Sequence, residues 1–383
     1  MNSLDQFARD QLSARDAGNL RRQVVETASI DGVSVEREGR RLLAFCTNDY
    51  LNLSQHPAVK AAAVSAVQQY GAGAGASRLI TGSHPLYAEL ERRLARLKGT
   101  EAACVFGSGY LANTGILPTL AGAGDLVLCD ELSHSCIRTG ASLSGADVVL
   151  FRHNDVEHVS QLLAEHRARH PRAVIATEGV FSMDGDLAPL AALSDIAQRY
   201  DAWLLTDDAH GIGVVGNGRG SAFVGGRAVD IPLQMGTLSK AVGGYGGYLC
   251  ASGPVVALMH NRARTFIYTT GLPPSVVATA IAALDIIENE PDYAAGPLRK
   301  ARLFTRLTNL PEAQSAIVPL MLGGADRTLA ASRLLEQEGF LVIAIRPPTV
   351  PAGTARLRFT FSAAHADADI ERLAGIVRER IMH

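Results

Sequence analysis

The chain has 383 residues with 36 Lys+Arg against 38 Asp+Glu, a formal net charge of −2, and 47% hydrophobic and 19% charged residues. This near-neutral, ordinary globular composition gives no electrostatic reason to expect nucleic acid or an anionic membrane as a partner. The length is enough for more than one compact unit around a sizeable core.

The first residues interleave Asp5, Arg9, Asp10 and Arg15 with apolar positions, unlike the unbroken apolar stretch of a secretory leader. No apolar run approaches the roughly 20 residues that cross a bilayer. The five cysteines (Cys46, Cys104, Cys129, Cys136 and Cys250) are scattered and without CxxC spacing. Neither a disulfide framework nor a thiolate metal site is expected, and the cytoplasm is the expected compartment. Residues 1–45 read as an arm, 46–275 as a large domain and 276–383 as a small C-terminal domain.

Along the chain, Leu86, Leu90, Leu94 and Leu97 form the apolar stripe of a helix, with Glu89, Glu91, Arg92 and Arg93 off it. Short apolar runs follow at 126–129, 148–151, 174–177, 203–206, 233–236 and 247–251, with connections long enough for helices. That alternation predicts an α/β domain with a mainly parallel central sheet, whose functional groups gather after the carboxyl ends of the strands. Beyond about residue 275 the texture changes. A helix, a strand at 317–320, a helix at 329–337, strands at 341–345 and 357–361, and a closing helix with Ile370, Leu373, Ala374, Val377 and Ile381 on one face predict a smaller α+β domain.

Three successive strand ends carry polar groups: Glu178 and Ser182 in TEGVFSMDGD, Asp207 and His210 in TDDAHG, and Thr237, Ser239 and Lys240 in GTLSKAVGG. A lysine, a carboxylate and hydroxyls converging on one crevice are the parts of a pyridoxal-phosphate site. Lys240 has no charged neighbour within 231–250, which suits an amine that must be neutral to form a Schiff base and move protons; a solvated surface lysine is the plain alternative. A buried Asp207 is tolerable if it pairs with a protonated pyridine nitrogen. A helix cap, or a metal carboxylate with Asp208 and His210, is the other reading, although the spacing fits no common metal motif and no metal is expected. The FGSGY turn at 106–110 can offer backbone N–H groups to a phosphate, weak evidence taken alone. The glycines at 71–75, 213–220 and 243–247 are equally unspecific, and none completes a dinucleotide fingerprint. His134 in CDELSHSCIRTG follows a strand and is free to lie over a flat ring, though a lone histidine is commonly structural.

These residues belong to a longer series: NDYLNL at 48–53, GAGAGASRLITGSHPLYAELE at 71–91, HNDVEHV at 153–159, TEGVFSMDGDLAPL at 177–190, DDAHGIGV at 207–214, GTLSKAVGG at 236–244 and IRPPTVPAGTARLRFTFSAAH at 345–365. In that order and over nearly the whole chain, the sequence resembles the α-oxoamine synthases, fold type I pyridoxal-phosphate enzymes. One segment departs, reading SKA where GKG also occurs in the family. The resemblance implies that Lys240 holds the cofactor, that Asp207 binds its pyridine nitrogen, and that His210 and Ser182 contact its ring hydroxyl. It implies that His134 stacks on the ring, that Glu178 is a further cofactor contact, and that Thr237 with the backbone of Gly109 and Tyr110 holds the phosphate. It further implies a homodimer with shared active sites, in which Thr269 and Thr270 reach the partner's phosphate. Arg358 would anchor an amino-acid carboxylate, with Asn48 and His134 as substrate contacts and Arg21 and Thr349 near an acyl substrate.

The implied activity is C-acyl transfer, a decarboxylative condensation, and the likeness is greatest to the member joining L-alanine to pimeloyl-CoA or pimeloyl-acyl carrier protein. Members using glycine or serine remain as alternatives, as does, from another class, a nicotinamide-dependent dehydrogenase.

Overall fold

Residues 2–18 and 20–382 are described in a computed structural model. The six apolar runs form strands, and Ala102–Phe106 joins them in a seven-stranded sheet. Across the sheet the order is Ala102–Phe106, Gly247–Ala251, Leu233–Thr237, Trp203–Asp207, Ala173–Glu178, Leu126–Asp130 and Asp147–Phe151. Gly247–Ala251 runs antiparallel to both its neighbours; the pairs from Leu233–Thr237 outward to Asp147–Phe151 are parallel.

The inner runs are continuously apolar because both faces of the sheet are covered there, whereas the edge strand Asp147–Phe151 leaves Val148 and Leu150 exposed. Successive residues of Trp203–Asp207 enter different cores: Leu204 packs with Leu126, Leu128 and Ile175, and Leu205 with Val127, Cys129 and Met235. Each such fully buried leucine contributes about 1.5–3 kcal/mol of transfer free energy. The amphipathic helix is Leu86–Lys98; Leu90, Leu94 and Leu97 are buried in a third core that also includes Tyr248 and Leu284.

The C-terminal part has an antiparallel sheet in the order Ile317–Gly323, Ala355–Thr360, Ile343–Ile345. Its core gathers Phe304, Phe359, Phe361, Leu373 and Val377, together with Phe45 from far upstream. The arm expected over 1–45 has two parts. Helix Ser3–Ala17 buries none of its residues, whereas strands Thr27–Asp31, Ser34–Arg37 and Arg40–Ala44 form a ribbon whose last member pairs in parallel with Phe340–Leu341. The strand expected at 341–345 is accordingly divided: Phe340–Leu341 completes the ribbon and Ile343–Ile345 joins the small sheet. A five-residue apolar run carries no signal of which sheet edge it will complete, so the division is invisible to periodicity.

No helix among the described residues is long and apolar enough to cross a membrane.

Candidate active site

The carboxyl ends of Ala102–Phe106, Leu126–Asp130, Ala173–Glu178, Trp203–Asp207 and Leu233–Thr237 open on one edge of the sheet and deliver the predicted groups to one crevice. Lys240, three residues beyond its strand and half-buried, places Nζ 2.7 Å from His210 Nε2. His210 Nδ1 in turn lies 2.6 Å from the hydroxyl of Tyr50, itself fully buried. Burial holds the Lys240 ammonium below its ordinary pKa, outweighing Asp207 and Glu178, which favour the charge. Burial, then the charges of Lys240 and Arg358, pushes His210 well below the usual histidine range. At neutral pH His210 is therefore a neutral ring with one donor and one acceptor nitrogen, matched by a neighbour on each side.

Asp207 ends its strand with both oxygens occupied. The Ala209 N–H donates to Oδ1 at 3.0 Å, and Asn113 Nδ2 donates to Oδ2 at 2.7 Å. Asn113 is fully buried on helix Gly109–Leu120, and Cys136 Sγ is 3.1 Å from its Nδ2 and 2.9 Å from His134 Nδ1. His134 caps helix Ser135–Ser144 and remains exposed. The adjacent Asp208 is committed elsewhere: it pairs with Lys98 at 2.6 Å and accepts from the Ser221 hydroxyl at 2.7 Å, all buried.

Glu178 ties two loops together, its Oε1 accepting from the His134 N–H at 2.7 Å and its Oε2 from the Ser182 N–H at 3.0 Å. Complete burial, reinforced by Asp207, pushes its carboxyl up to about 8. The Ser182 carbonyl accepts from Arg358 Nε at 2.6 Å, while the two ends of that guanidinium lie 3.3 Å from Asn48 Oδ1. Arg358 belongs to strand Ala355–Thr360, so it reaches from the C-terminal sheet to the large sheet.

The glycine turn gives the crevice an anion cradle. Ser108 caps helix Gly109–Leu120, and the N–H groups of Gly109 and Tyr110 have no hydrogen-bond partner among the described residues. A Cβ on Gly109 would lie 3.4 Å from Thr237 Oγ1, filling the cradle; one on Gly247 would lie 2.5 Å from the Ser108 carbonyl, so the strand behind the turn also has to begin with glycine. Thr237 Oγ1 is 2.7 Å from Ser239 Oγ. Thr269 lies against Gly107, and Thr270 is exposed and bridged to Ser77. A lowered-pKa amine, a fixed carboxylate and an anion cradle fit a flat phosphorylated aldehyde such as pyridoxal phosphate.

Beyond His134 and Ser182 a cavity of about 440 Å³ runs under the segment 348–351, with Thr349 in its wall. Arg22 donates to the Thr349 hydroxyl at 3.0 Å; Arg21 instead pairs with Asp16 at 2.7 Å on the exposed arm helix. Tyr50, Asn113, Cys136 and Arg22 are the members that the sequence reading did not single out. Asn113 had a signal available, since it follows Gly109 by four residues and so lies one helical turn along the same face.

The aminotransferase class I and II model matches residues 40–377. The chain is 63% identical to 8-amino-7-oxononanoate synthase from Methylocella silvestris, over 90% of this chain and 98% of that one. It is 58% identical to the enzyme of the same name from Beijerinckia indica, over 98% of both. A serine palmitoyltransferase variant from S. paucimobilis, solved with bound PLP, superposes with a TM-score of 0.92 at 30% identity, covering 99% of this chain and 98% of that one. By the extent of these matches, the chain belongs to the aminotransferase class I and II family, within its α-oxoamine synthase branch and with the fold type I architecture.

Proposed function

We propose that this protein is an 8-amino-7-oxononanoate synthase of biotin biosynthesis, joining L-alanine to a pimeloyl thioester with release of the thiol and carbon dioxide. The observation that carries the reading is Lys240, an amine of depressed basicity with no ion-pair partner among the described residues, standing over the strand ends that hold Asp207 and Glu178. Alanine with a pimeloyl chain follows from the named relatives, at 58–63% identity against 30% for the serine-using neighbour.

Pyridoxal phosphate, when bound, supplies an aldehyde that captures amines and a ring that withdraws electrons from the substrate's α-carbon. Lys240, its basicity held down by burial, would hold that aldehyde through its amine, and the same amine would move the proton at the substrate's α-carbon. Asp207, braced by Asn113 and Ala209, keeps the pyridine nitrogen protonated. His134, at the mouth of the crevice, would lie over the ring of the bound group. His210 and Ser182 face the ring hydroxyl, and Glu178 fixes the loops carrying His134 and Ser182. Thr237 and the N–H groups of Gly109 and Tyr110 take the phosphate, with Thr269 and Thr270 contributed across a homodimer. Arg358 and Asn48 receive the alanine carboxylate, a geometry suited to a guanidinium fork. Arg21 and Thr349 border the acyl substrate, and the protein works in the cytoplasm.

The test is a substrate matrix: the purified enzyme with pyridoxal phosphate is given alanine, glycine or serine against pimeloyl, acetyl, succinyl and palmitoyl thioesters, and products are identified by mass. Alanine with pimeloyl should give the highest kcat/KM. Glycine with acetyl or succinyl, or serine with palmitoyl, as the best pair would overturn the assignment.

A further inference from the structure

The cavity beyond His134 holds a charge that nothing so far described uses. Four charged side chains line it: Glu131, Arg138, Asp184 and Arg356. Two of them pair with each other, and a third takes one backbone hydrogen bond while keeping its charge. Glu131 accepts the His153 N–H at 3.0 Å, and Arg356 pairs with Asp184. Arg138 is exposed and makes no ion pair or hydrogen bond among the described residues, so it is the one cation of this lining without a carboxylate partner. It stands on helix Ser135–Ser144, four residues after the cap His134, and so on the same face one turn farther from the strand ends.

The rest of the lining complements it. Leu132, Pro348 and Val350 give apolar wall, and about 440 Å³ is within the range of cavities that enclose small ligands. A cavity with this apolar wall on one side and an unpaired guanidinium in its lining suits a molecule with a hydrocarbon stretch and an anion beyond it. The planar fork of arginine binds carboxylate or phosphate through paired hydrogen bonds.

We infer that Arg138 is an anion-recognition site of this cavity and sets the enzyme's preference among acyl thioesters. The inference rests on the proposed acyl-thioester reaction, whose substrate has two sources of such an anion: the far carboxylate of a dicarboxylic acyl chain and a phosphate of the thiol carrier. Both are oxyanions, and both lie away from the carbonyl that reacts.

The test uses the holoenzyme and its Arg138→Gln and Arg138→Lys variants with alanine and three thioesters: pimeloyl-CoA, heptanoyl-CoA and pimeloyl-N-acetylcysteamine. Arg138→Gln should raise KM by about tenfold to a hundredfold for the substrates bearing the recognised anion, with kcat nearly unchanged and partial recovery in Arg138→Lys. A rise with both pimeloyl substrates but not heptanoyl-CoA identifies the chain carboxylate. A rise with both CoA substrates but not the N-acetylcysteamine thioester identifies the carrier phosphate. Equal KM changes for all three, or none, would overturn the inference. Calorimetric titration with pimeloyl-CoA needs no turnover, so it separates this outcome from failure of the proposed reaction. Weaker binding by Arg138→Gln in an enzyme that turns over none of the three still supports the anion site, and unchanged binding overturns it.

Discussion

Asn113 Nδ2 lies 2.7 Å from Asp207 Oδ2, a contact between the first helix behind the glycine turn and the end of a central strand. It fixes the direction of a buried carboxylate whose other oxygen is already held by backbone. Asn113→Ala should weaken cofactor affinity about tenfold or more, the worth of one hydrogen bond to a charged group. Fluorescence titration of apoenzyme with pyridoxal phosphate reads this directly. Asn113→Asp should be worse, because it sets a second carboxylate against the first, and unchanged affinity in both variants would remove Asn113 from the site.

Lys240→Ala should fold normally, since the side chain makes one hydrogen bond and no ion pair among the described residues. Borohydride treatment of the wild-type holoenzyme should leave a reduced cofactor adduct on the peptide containing Lys240. The variant should show no such adduct there and lose turnover by at least about a thousandfold, more than a general acid–base term of 10²–10⁴ alone requires at its lower end. Peptide mapping that finds the adduct on another lysine would contradict the assignment.

The Lys98–Asp208 pair lies at full burial beside the site without entering it. Removing one partner strands the other charge, so Lys98→Met should cost about 3–5 kcal/mol in stability. The double variant Lys98→Met/Asp208→Leu should recover a large part of that loss. Urea unfolding distinguishes the two, and a double variant no more stable than the single one would show that Ser221 and the Arg219 carbonyl, not charge, dominate there.

His153 sits between two carboxylates, with Nδ1 3.1 Å from Asp130 and Nε2 2.9 Å from Asp186. Burial opposes its charge, but the hydrogen bonds to Asp130 and Asp186 prevail and raise it to about 10. A group whose folded pKa is raised contributes its full stability below the unfolded value, about 6.5. The contribution, up to a few kcal/mol, is lost as pH climbs from there to about 10. Wild type should therefore lose stability over that window more steeply than His153→Gln, as read by unfolding at a series of pH values. Parallel slopes would mean that the imidazolium contributes nothing.

Six strands of the large sheet were legible because each is a short apolar run, whereas the seventh, Ala102–Phe106, lies outside the runs read from the sequence; the convergence of Glu178, Asp207 and Lys240 follows from that pattern once their strands are parallel. What periodicity leaves out is pairing across distance. It cannot show that Asn113 would brace Asp207, 94 positions away, or that Tyr50 would meet His210 from 160 away. The arm shows the same limit at finer grain: Arg21 and Arg22 are adjacent and chemically alike, and only the path of the chain decides that Arg22 meets Thr349 while Arg21 turns back to Asp16.

The ribbon of residues 27–44 is completed by Phe340–Leu341, so nearly three hundred residues separate its last strand from the strand that pairs with it. On the ribosome the early strands emerge long before the partner that covers the edge at Arg40–Ala44. Until then that edge is open to any chain able to add a strand, including another nascent copy. Arg40 and Arg41 stand at its start, exposed in the finished fold, and their charge works against such pairing during the wait.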